Sequence, residues 1–354
     1  MLIPHNPNMS QGLMFAASDS FGDPITREYA ERRLANEGRT RFDLGREEFV
    51  REVWEFVGET GSSILEQLRA IGSSCDWERT RFTLDDGLSR AVREVFVRLH
   101  EKGLIYRGNY IINWCPRCLT ALSNEEAEPE ETAGRIWRLR YAFARGKGAA
   151  QGGAAKASPR LPDGRPYIVV ATTRPETILG DTGIAVHPED ERYAGLIGSF
   201  VEVPFTGRAV PIVGDDAVDP EFGTGMVKVT PAHDPNDFEI GQRHDLESLD
   251  IMTPDGRIGE NAPEAFRGLD RFDARKAIVA AFEKDGLLEG VDEHTHAVPH
   301  CYRCGTVVEP RLSEQWFVRM KPLAENALRA SREGHVRFTP ERWKKVYEHW
   351  MENI

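Results

Sequence analysis

The chain has 354 residues and a mass of 39.9 kDa, which suits two or three domains. Hydrophobic residues make up 40% and charged residues 29%, a balance that excludes a mainly disordered chain and a collagen-like one. The net charge of −12 argues against a protein that coats nucleic acid through bulk charge. Apolar runs reach only about six residues, as at Ala277–Phe282, where a membrane span needs roughly 20. The opening Met1-Leu2-Ile3-Pro4-His5-Asn6-Pro7 lacks the basic and then apolar pattern of a secretion signal, so the expected compartment is the cytoplasm.

Residues 1–22 are rich in Pro, Asn, Ser and Gly without a period and are expected to be poorly ordered. Asp23-Pro24 reads as an N-cap with Pro at the first helical position, opening a helix that Gly38 closes. Helical stripes follow at Phe49, Val50, Val53, Trp54 and Val57, and at Ile64, Leu65, Leu68 and Ile71. A further stripe starts at about Asp86 with Leu88, Val92, Val95 and Leu99 and stops at Gly103. These stripes are expected to be core-packing faces. Tyr110–Trp114 is β-branched and apolar, a short strand leading into Cys115. Ile136–Phe143 alternates as a strand. The stretch from Ala144 to Pro166 is low in complexity and reads as a surface loop. Short strands are predicted at Tyr167–Ala171, Gly183–Val186, Phe200–Val203, Val210–Val213 and Met226–Thr230, and a helical period returns from Asp270 to Asp285. The chain stops at Trp350–Ile354 without a C-cap signal, which reads as a truncation within an element.

Charge is distributed unevenly. Between Asp181 and Glu264 there are 18 acidic and 5 basic residues, whereas Cys301–Ile354 has 10 basic and 7 acidic. The excess acid therefore sits in one central segment, and the flanks could still meet a polyanion.

Of the five cysteines, Cys75 stands alone and reads as a small buried hydrophobe. The others form two pairs, Cys115/Cys118 and Cys301/Cys304, each in a Cys-x-x-Cys spacing that lets two thiolates reach one tetrahedral ion. The 182 residues between Cys118 and Cys301 far exceed the roughly 15–20 of a local zinc ribbon. The simplest account is one Zn2+ site split by an inserted domain, whose ends must then be close in space. Two unlinked pairs, redox-active or inert, are the alternative.

Two polar clusters sit at strand ends in the segment between the cysteine pairs. Thr172-Thr173-Arg174-Pro175-Glu176-Thr177 places three hydroxyls and an arginine on a loop held by proline. It fits either a donor-rich rim or a helix-start capping turn. The second runs from Gly223 to Asp237. Strand alternation puts Lys228 and Thr230 on one face, the strand ends at Pro231, and His233, Asp234 and Asp237 follow. Asp234 and Asp237 are three apart, so one helical turn would stack both carboxylates on one side, where they could hold an ammonium group. A solvated turn with a helix N-cap is the alternative.

Three blocks, Ala171–Thr177, Gly180-Asp181-Thr182 with Val186-His187-Pro188, and Thr230–Glu239, resemble the editing domain of the large class I aminoacyl-tRNA synthetases. The flanks, Asn113–Leu122 and His300–Phe317, resemble the valyl branch more closely than the isoleucyl or leucyl ones. The resemblance covers roughly residues 27–354. It implies an α/β fold in which a partial Rossmann-type catalytic domain with a helical segment is interrupted by an inserted β-rich editing domain. The corresponding divisions are a terminal segment 1–22, partial catalytic domain 23–135 with the first zinc half-site, editing domain 136–297, and the return to the catalytic domain 298–354 with the second half-site. Neither ATP-handling signature of the family, His-Ile-Gly-His or Lys-Met-Ser-Lys-Ser, is present, and Phe21-Gly22-Asp23-Pro24-Ile25 stands where Asp-His-Ala-Gly is expected. ATP and Mg2+ are therefore expected to act only in a full-length enzyme that attaches valine to tRNA(Val).

The resemblance further implies what chemistry remains. A hydrophobic pocket cannot strongly reject an isostere that carries an added hydroxyl, a limitation for which this family is the standard illustration, so a second site hydrolyses the error. By the resemblance, Arg174, Lys228, Thr230, Asp234 and Asp237 form that catalytic pocket, with Thr172, Thr173, Thr177 and His233 as further substrate-binding residues. Asp237 is expected on the substrate ammonium, Asp234 and Thr230 on the threonine hydroxyl, and Arg174 and Lys228 on the terminal adenosine and its phosphate. His233 or a ribose hydroxyl is the candidate general base. Cys115, Cys118, Cys301 and Cys304 would hold a structural Zn2+. The expected partners are tRNA(Val) and its threonyl ester, with neither DNA nor a membrane, and the expected state is a monomer. Two other classes remain open: a non-catalytic zinc-held RNA-binding module, and a stand-alone editing deacylase acting in trans.

Overall fold

A computed structural model describes residues 31, 33–82, 85–145 and 158–353. The segment 1–22, the helix start at Asp23-Pro24 and most of the low-complexity stretch after Ala144 lie outside the described residues. The chain is mixed α/β and divides into two compact units. One comprises the chain up to Arg107 together with Trp316 onward, and the other runs from Gly108 to Gln315.

The first unit is mainly helical. Helices α1 (Arg46–Thr60), α2 (Ser63–Ala70) and α3 (Asp86–Glu101) lie where the apolar periods predict them. Asp85 caps α3, its carboxylate accepting the Leu88 N–H at 2.8 Å. Gly38 and Gly103 close their helices at positive φ, as expected. The expectation that these stripes are core faces is not met: Val92 is 65% exposed, Val95 55% and Trp54 49%. An apolar stripe marks a face that can be buried, but burial also needs a facing surface, which periodicity does not supply. Cys75 is likewise half-buried, not enclosed. The C-terminal segment of this unit adds helices Lys321–Arg332 and Trp343–Asn353.

The second unit is β-rich. Strand β1 (Ile105–Cys115) enters it and pairs with β2 (Thr120–Leu122) across the first cysteine pair, with Cys115 opposite Thr120. Strand β3 (Ala127–Ala142) starts much earlier than its apolar half suggests. Its first half is polar and exposed, and its second half alternates into the core through Trp137, Leu139 and Tyr141. Strand β4 (Tyr167–Thr172) pairs antiparallel with that buried half. Strands β5 (Gly183–Val186), β6 (Phe200–Glu202), β7 (Ala209–Gly214) and β8 (Met226–Val229) form a second sheet in the order β6-β7-β5-β8, with β5 and β7 parallel. Helix α4 (Pro235–Arg243) follows β8, and α5 (Arg271–Lys284) packs Ala274, Ile278 and Phe282 into the main core. Strand β9 (Leu288–Cys301) then returns along β3, from Leu288 opposite Leu139 to Cys301 opposite Ala127. Strand β10 (Glu309–Val318) adjoins β1.

The β3/β9 ribbon was not legible beyond Ile136 because its outer half lacks apolar alternation. Pairing with a strand more than 140 residues away holds it extended. Among the described residues, no helix is long and apolar enough to cross a membrane.

Candidate functional site

The ribbon closes the gap between the cysteine pairs. β3 leaves the first pair and β9 returns antiparallel to the second, so Cys115, Cys118, Cys301 and Cys304 place their sulfurs within 4.8 Å of one another. Both knuckles turn alike. The N–H of Leu119 donates to the Cys115 carbonyl and that of Gly305 to the Cys301 carbonyl, each at 2.8 Å, and both residues have positive φ. Sulfur–sulfur distances of this size suit a tetrahedron of Zn–S bonds of about 2.3 Å. All four cysteines are free of disulfides. The donor chemistry also fits a cation. A hydrogen bond from Cys118, against the opposing effect of burial, brings Cys115 down to about 5, whereas the bond to Cys115 and burial hold Cys118 far above the ordinary thiol range. Burial lifts Cys301 to about 11. The four cysteines are thus able to hold one metal ion, consistent with zinc.

Apart from that centre, both polar clusters of the sequence line one cavity of about 350 Å3. Thr172, Thr173, Arg174 and Thr177 come from the end of β4 and the 3-10 helix Pro175–Gly180. Lys228 comes from β8, and His233, Asp234, Asn236 and Asp237 from the start of α4. Ala171, Val218, Phe222, Val227 and Ile240 form an apolar wall. The local sequence explains the α4 corner. Asp234 is the N-cap and accepts the N–H groups of Asn236 (2.9 Å) and Asp237 (3.2 Å), and Pro235 occupies the first helical position. Asp237 reaches back to accept the Thr230 N–H at 2.8 Å, which latches the strand end to the helix. Gly241 allows this approach, since a Cβ there would stand 2.7 Å from the Pro231 ring. Burial raises the Asp237 carboxyl to about 7 against the opposing pull of Lys228, with Asp234 adding to the rise.

Three predicted residues serve partly from behind the cavity wall. Thr230 is fully buried and is not among the lining residues. Its hydroxyl donates to Asp181 Oδ1 at 2.6 Å and accepts from Lys228 Nζ. Arg174 lines the cavity, but its guanidinium bonds to Glu309, to Glu176 Oε1 at 3.3 Å and to the His233 carbonyl at 2.8 Å. Burial works against its charge, and Glu309, Glu176 and Asp234 outweigh that and hold it firmly cationic. His233 is 1% exposed, and its Nε2 accepts the Ile251 N–H at 3.0 Å. Burial, with Arg174 and Lys228 nearby, pushes its pKa well below the ordinary histidine value. Thr172 accepts the Arg174 N–H at 3.0 Å, and Thr177 donates to the Arg174 carbonyl at 3.0 Å, so both hydroxyls shape the arginine turn.

The sequence reading missed the groups that support these side chains. Glu176 receives Arg275 at 2.7 and 2.8 Å, and Glu309 pairs with Arg271 at 2.8 Å as well as with Arg174. Asp181 lies under Lys228. Asp181, Glu176 and Glu309 belonged to recognised sequence blocks, whereas Arg275 did not, and no local pattern paired any of these groups with partners that lie far off in the chain, 135 residues for Glu309 and Arg174 and 99 for Arg275 and Glu176.

A family profile described as tRNA synthetases class I (I, L, M and V) matches residues 11–354. The valine--tRNA ligase of Geobacter sulfurreducens is 53% identical over 329 residues, 93% of this chain and 35% of the relative. That of Thermotoga maritima is 52% identical over 321 residues, 91% of this chain and 35% of the relative. The valine--tRNA ligase of Desulfotalea psychrophila is 49% identical over all 354 residues, which cover 38% of it. The chain thus spans little more than a third of the length of these curated relatives. On the profile match and these identities, the chain belongs to the class I tRNA synthetases of the I, L, M and V group, with valine--tRNA ligases among its relatives.

Proposed function

We propose that the cavity is a hydrolytic proofreading site for tRNA(Val) wrongly esterified with threonine, carried by an inserted β-rich editing domain. The convergence of Lys228, Asp234 and Asp237 against an apolar wall is the observation that carries the reading. The buried, helix-latched Asp237 takes the substrate ammonium. Asp234 takes the threonine hydroxyl, which valine lacks. A site built to bond a hydroxyl discriminates against the analogue without it, because its polar group is then left unpaired. Lys228 faces the terminal adenosine and its phosphate. Arg174, with three of its N–H groups committed to the protein, fixes the rim on which that nucleotide rests. Thr230 acts through Lys228.

Water attacks the ester carbonyl, the ester bond breaks, and threonine and tRNA with a free ribose hydroxyl leave. The Nε2 lone pair of His233 is committed to the Ile251 N–H, so the vicinal ribose hydroxyl of the substrate is the proposed proton acceptor. The four cysteines would hold Zn2+ as a structural tie, and no step passes through it. Within a longer protein, we assign the flanking segments to a Rossmann-type catalytic domain that joins valine to tRNA(Val) with ATP and Mg2+.

The test is a deacylation assay on the chain with threonyl-tRNA(Val) and valyl-tRNA(Val). Hydrolysis of the first, sparing of the second and loss of activity in Asp237→Ala are expected. A wild-type chain that binds tRNA but cleaves neither ester refutes the proposal and favours a non-catalytic module.

A further inference from the structure

Beneath Lys228 lies a carboxylate to which the chemistry above gives no part. Asp181 follows the 3-10 helix Pro175–Gly180 and is fully buried. The Tyr141 hydroxyl donates to its Oδ2 at 2.7 Å, and Thr230 donates to its Oδ1 at 2.6 Å. Lys228 Nζ donates to that same threonine oxygen and stands 3.6 Å from Asp181 Oδ1 and 3.8 Å from Asp237 Oδ2. One ammonium is therefore shared by two carboxylates, one sealed in the core and one opening on the cavity.

Charge balance gives this arrangement a purpose. Lys228 with Asp237 alone is a neutral pair and offers little attraction to an incoming cation. With both carboxylates ionised, Asp181 gives the trio one net negative charge in a setting that solvent screens poorly. We propose that Asp181 is a positioning residue that takes up the charge of Lys228 from behind, so that Asp237 is left to hold the ammonium of an aminoacyl ester.

This role rests on the proofreading reading for its substrate, but not for its electrostatics. The other groups facing the trio do not substitute for Asp181. Arg208 donates to the carbonyls of Leu179 and Asp181, and Arg174 is paired with Glu176 and Glu309. Asp234 also raises Asp237, but it caps α4 and forms no ion pair with Lys228 among the described residues; His233 is enclosed as the neutral ring, and Tyr141 is a neutral donor. Burial raises Asp181, and Lys228, Thr230 and Tyr141 oppose that rise. Asp181 in turn contributes to the raised pKa of Asp237.

The experiment uses the whole chain with 13C-carboxyl aspartate, the Asp237 signal being assigned with Asp237→Asn. Asp237 should titrate near about 7 in the wild type. Asp181→Asn removes a repelling charge and leaves Lys228 to Asp237 alone, so the titration should fall by up to about one unit. In parallel, at a pH above that titration, where Asp237 is ionised in both proteins, KM for threonyl-tRNA(Val) should rise about ten-fold with kcat little changed. The ester with a hydroxyl in place of the amine should show no such rise. An unmoved Asp237 titration, or an equal KM rise for the ester without an amine, overturns the proposal. A wild-type chain that titrates as expected but cleaves no ester refutes the proofreading reading and leaves the Asp181–Lys228–Asp237 linkage standing. If Asp181→Asn does not fold, Tyr141→Phe removes one donor from the carboxylate and favours its neutral form. It should move Asp237 in the same direction by a smaller step, and no movement overturns the proposal.

Discussion

Glu309 stands between two arginines, so removing its charge measures what the buried network contributes. Its side chain is 8% exposed and that of Arg271 5%, with Arg271 Nε 2.8 Å from Oε1, while Arg174 bonds the other oxygen. Glu309→Gln keeps the volume but leaves Arg174, Arg271 and Arg275 with one glutamate, Glu176, which already receives two bonds from Arg275. Removing one partner of a buried pair costs about 3–5 kcal/mol, most of it the penalty of the charge left behind. Arg174 retains 24% exposure and so keeps some hydration, which places the expected loss near ~3 kcal/mol. For a compact unit of the length Gly108–Gln315, each kcal/mol shifts melting by about 2–4 °C, so Tm should fall by about 6–12 °C. Thermal unfolding followed by circular dichroism, with urea titration for the free energy, measures both quantities. Adding Arg271→Met to Glu309→Gln should recover part of the loss, because one unpaired charge is then gone. A loss below ~1 kcal/mol, the range of an exposed pair, would show that these charges are solvated and that the reasoning fails.

The remaining expectations concern the cavity and the cysteine centre. Burial raises Asp237 to about 7, and the carboxylate must be ionised to hold an ammonium. kcat/KM for threonyl ester hydrolysis should therefore rise with pH through about 7 and level off above it, and a flat profile between pH 6 and 8 contradicts the assignment. The sign for stability is opposite: folding raises this carboxylic acid's pKa, so its ionisation costs the folded state as pH climbs through that value. Gly241→Ala should destabilise by ~1–3 kcal/mol although alanine is the better helix former, because the added methyl meets the rigid Pro231 ring at 2.7 Å. Urea unfolding decides this one, and a stabilised variant refutes it. Stripping metal with a chelator should lower Tm and free up to four more thiols, those of Cys115, Cys118, Cys301 and Cys304, to a thiol reagent than the loaded chain shows. Equal thiol counts before and after chelation would rule out a tetrathiolate centre.

Much of this protein was written into local sequence. The caps and apolar periods placed α3 and α5, strand β5 matched its predicted bounds, and the spacing Cys-x-x-Cys drew attention to both knuckles. Asp234, Pro235 and Asp237 defined a helix start whose carboxylates face a cavity, since an N-cap and its first turn are set by neighbours a few residues apart. Only the tertiary structure decided which of these groups work together. The polar half of β3 is a strand because β9 returns beside it, and that return brings the two cysteine pairs within one ion's reach. Glu309 meets Arg174, and Asp181 meets Lys228, across chain separations that no periodic pattern encodes. The helical stripes of the first unit show the converse, because amphipathic spacing declares a face and leaves open what covers it. Local order follows from backbone geometry and short-range hydrogen bonds. The choice of partner for each buried charge follows from desolvation, which acts only once distant segments have closed over it.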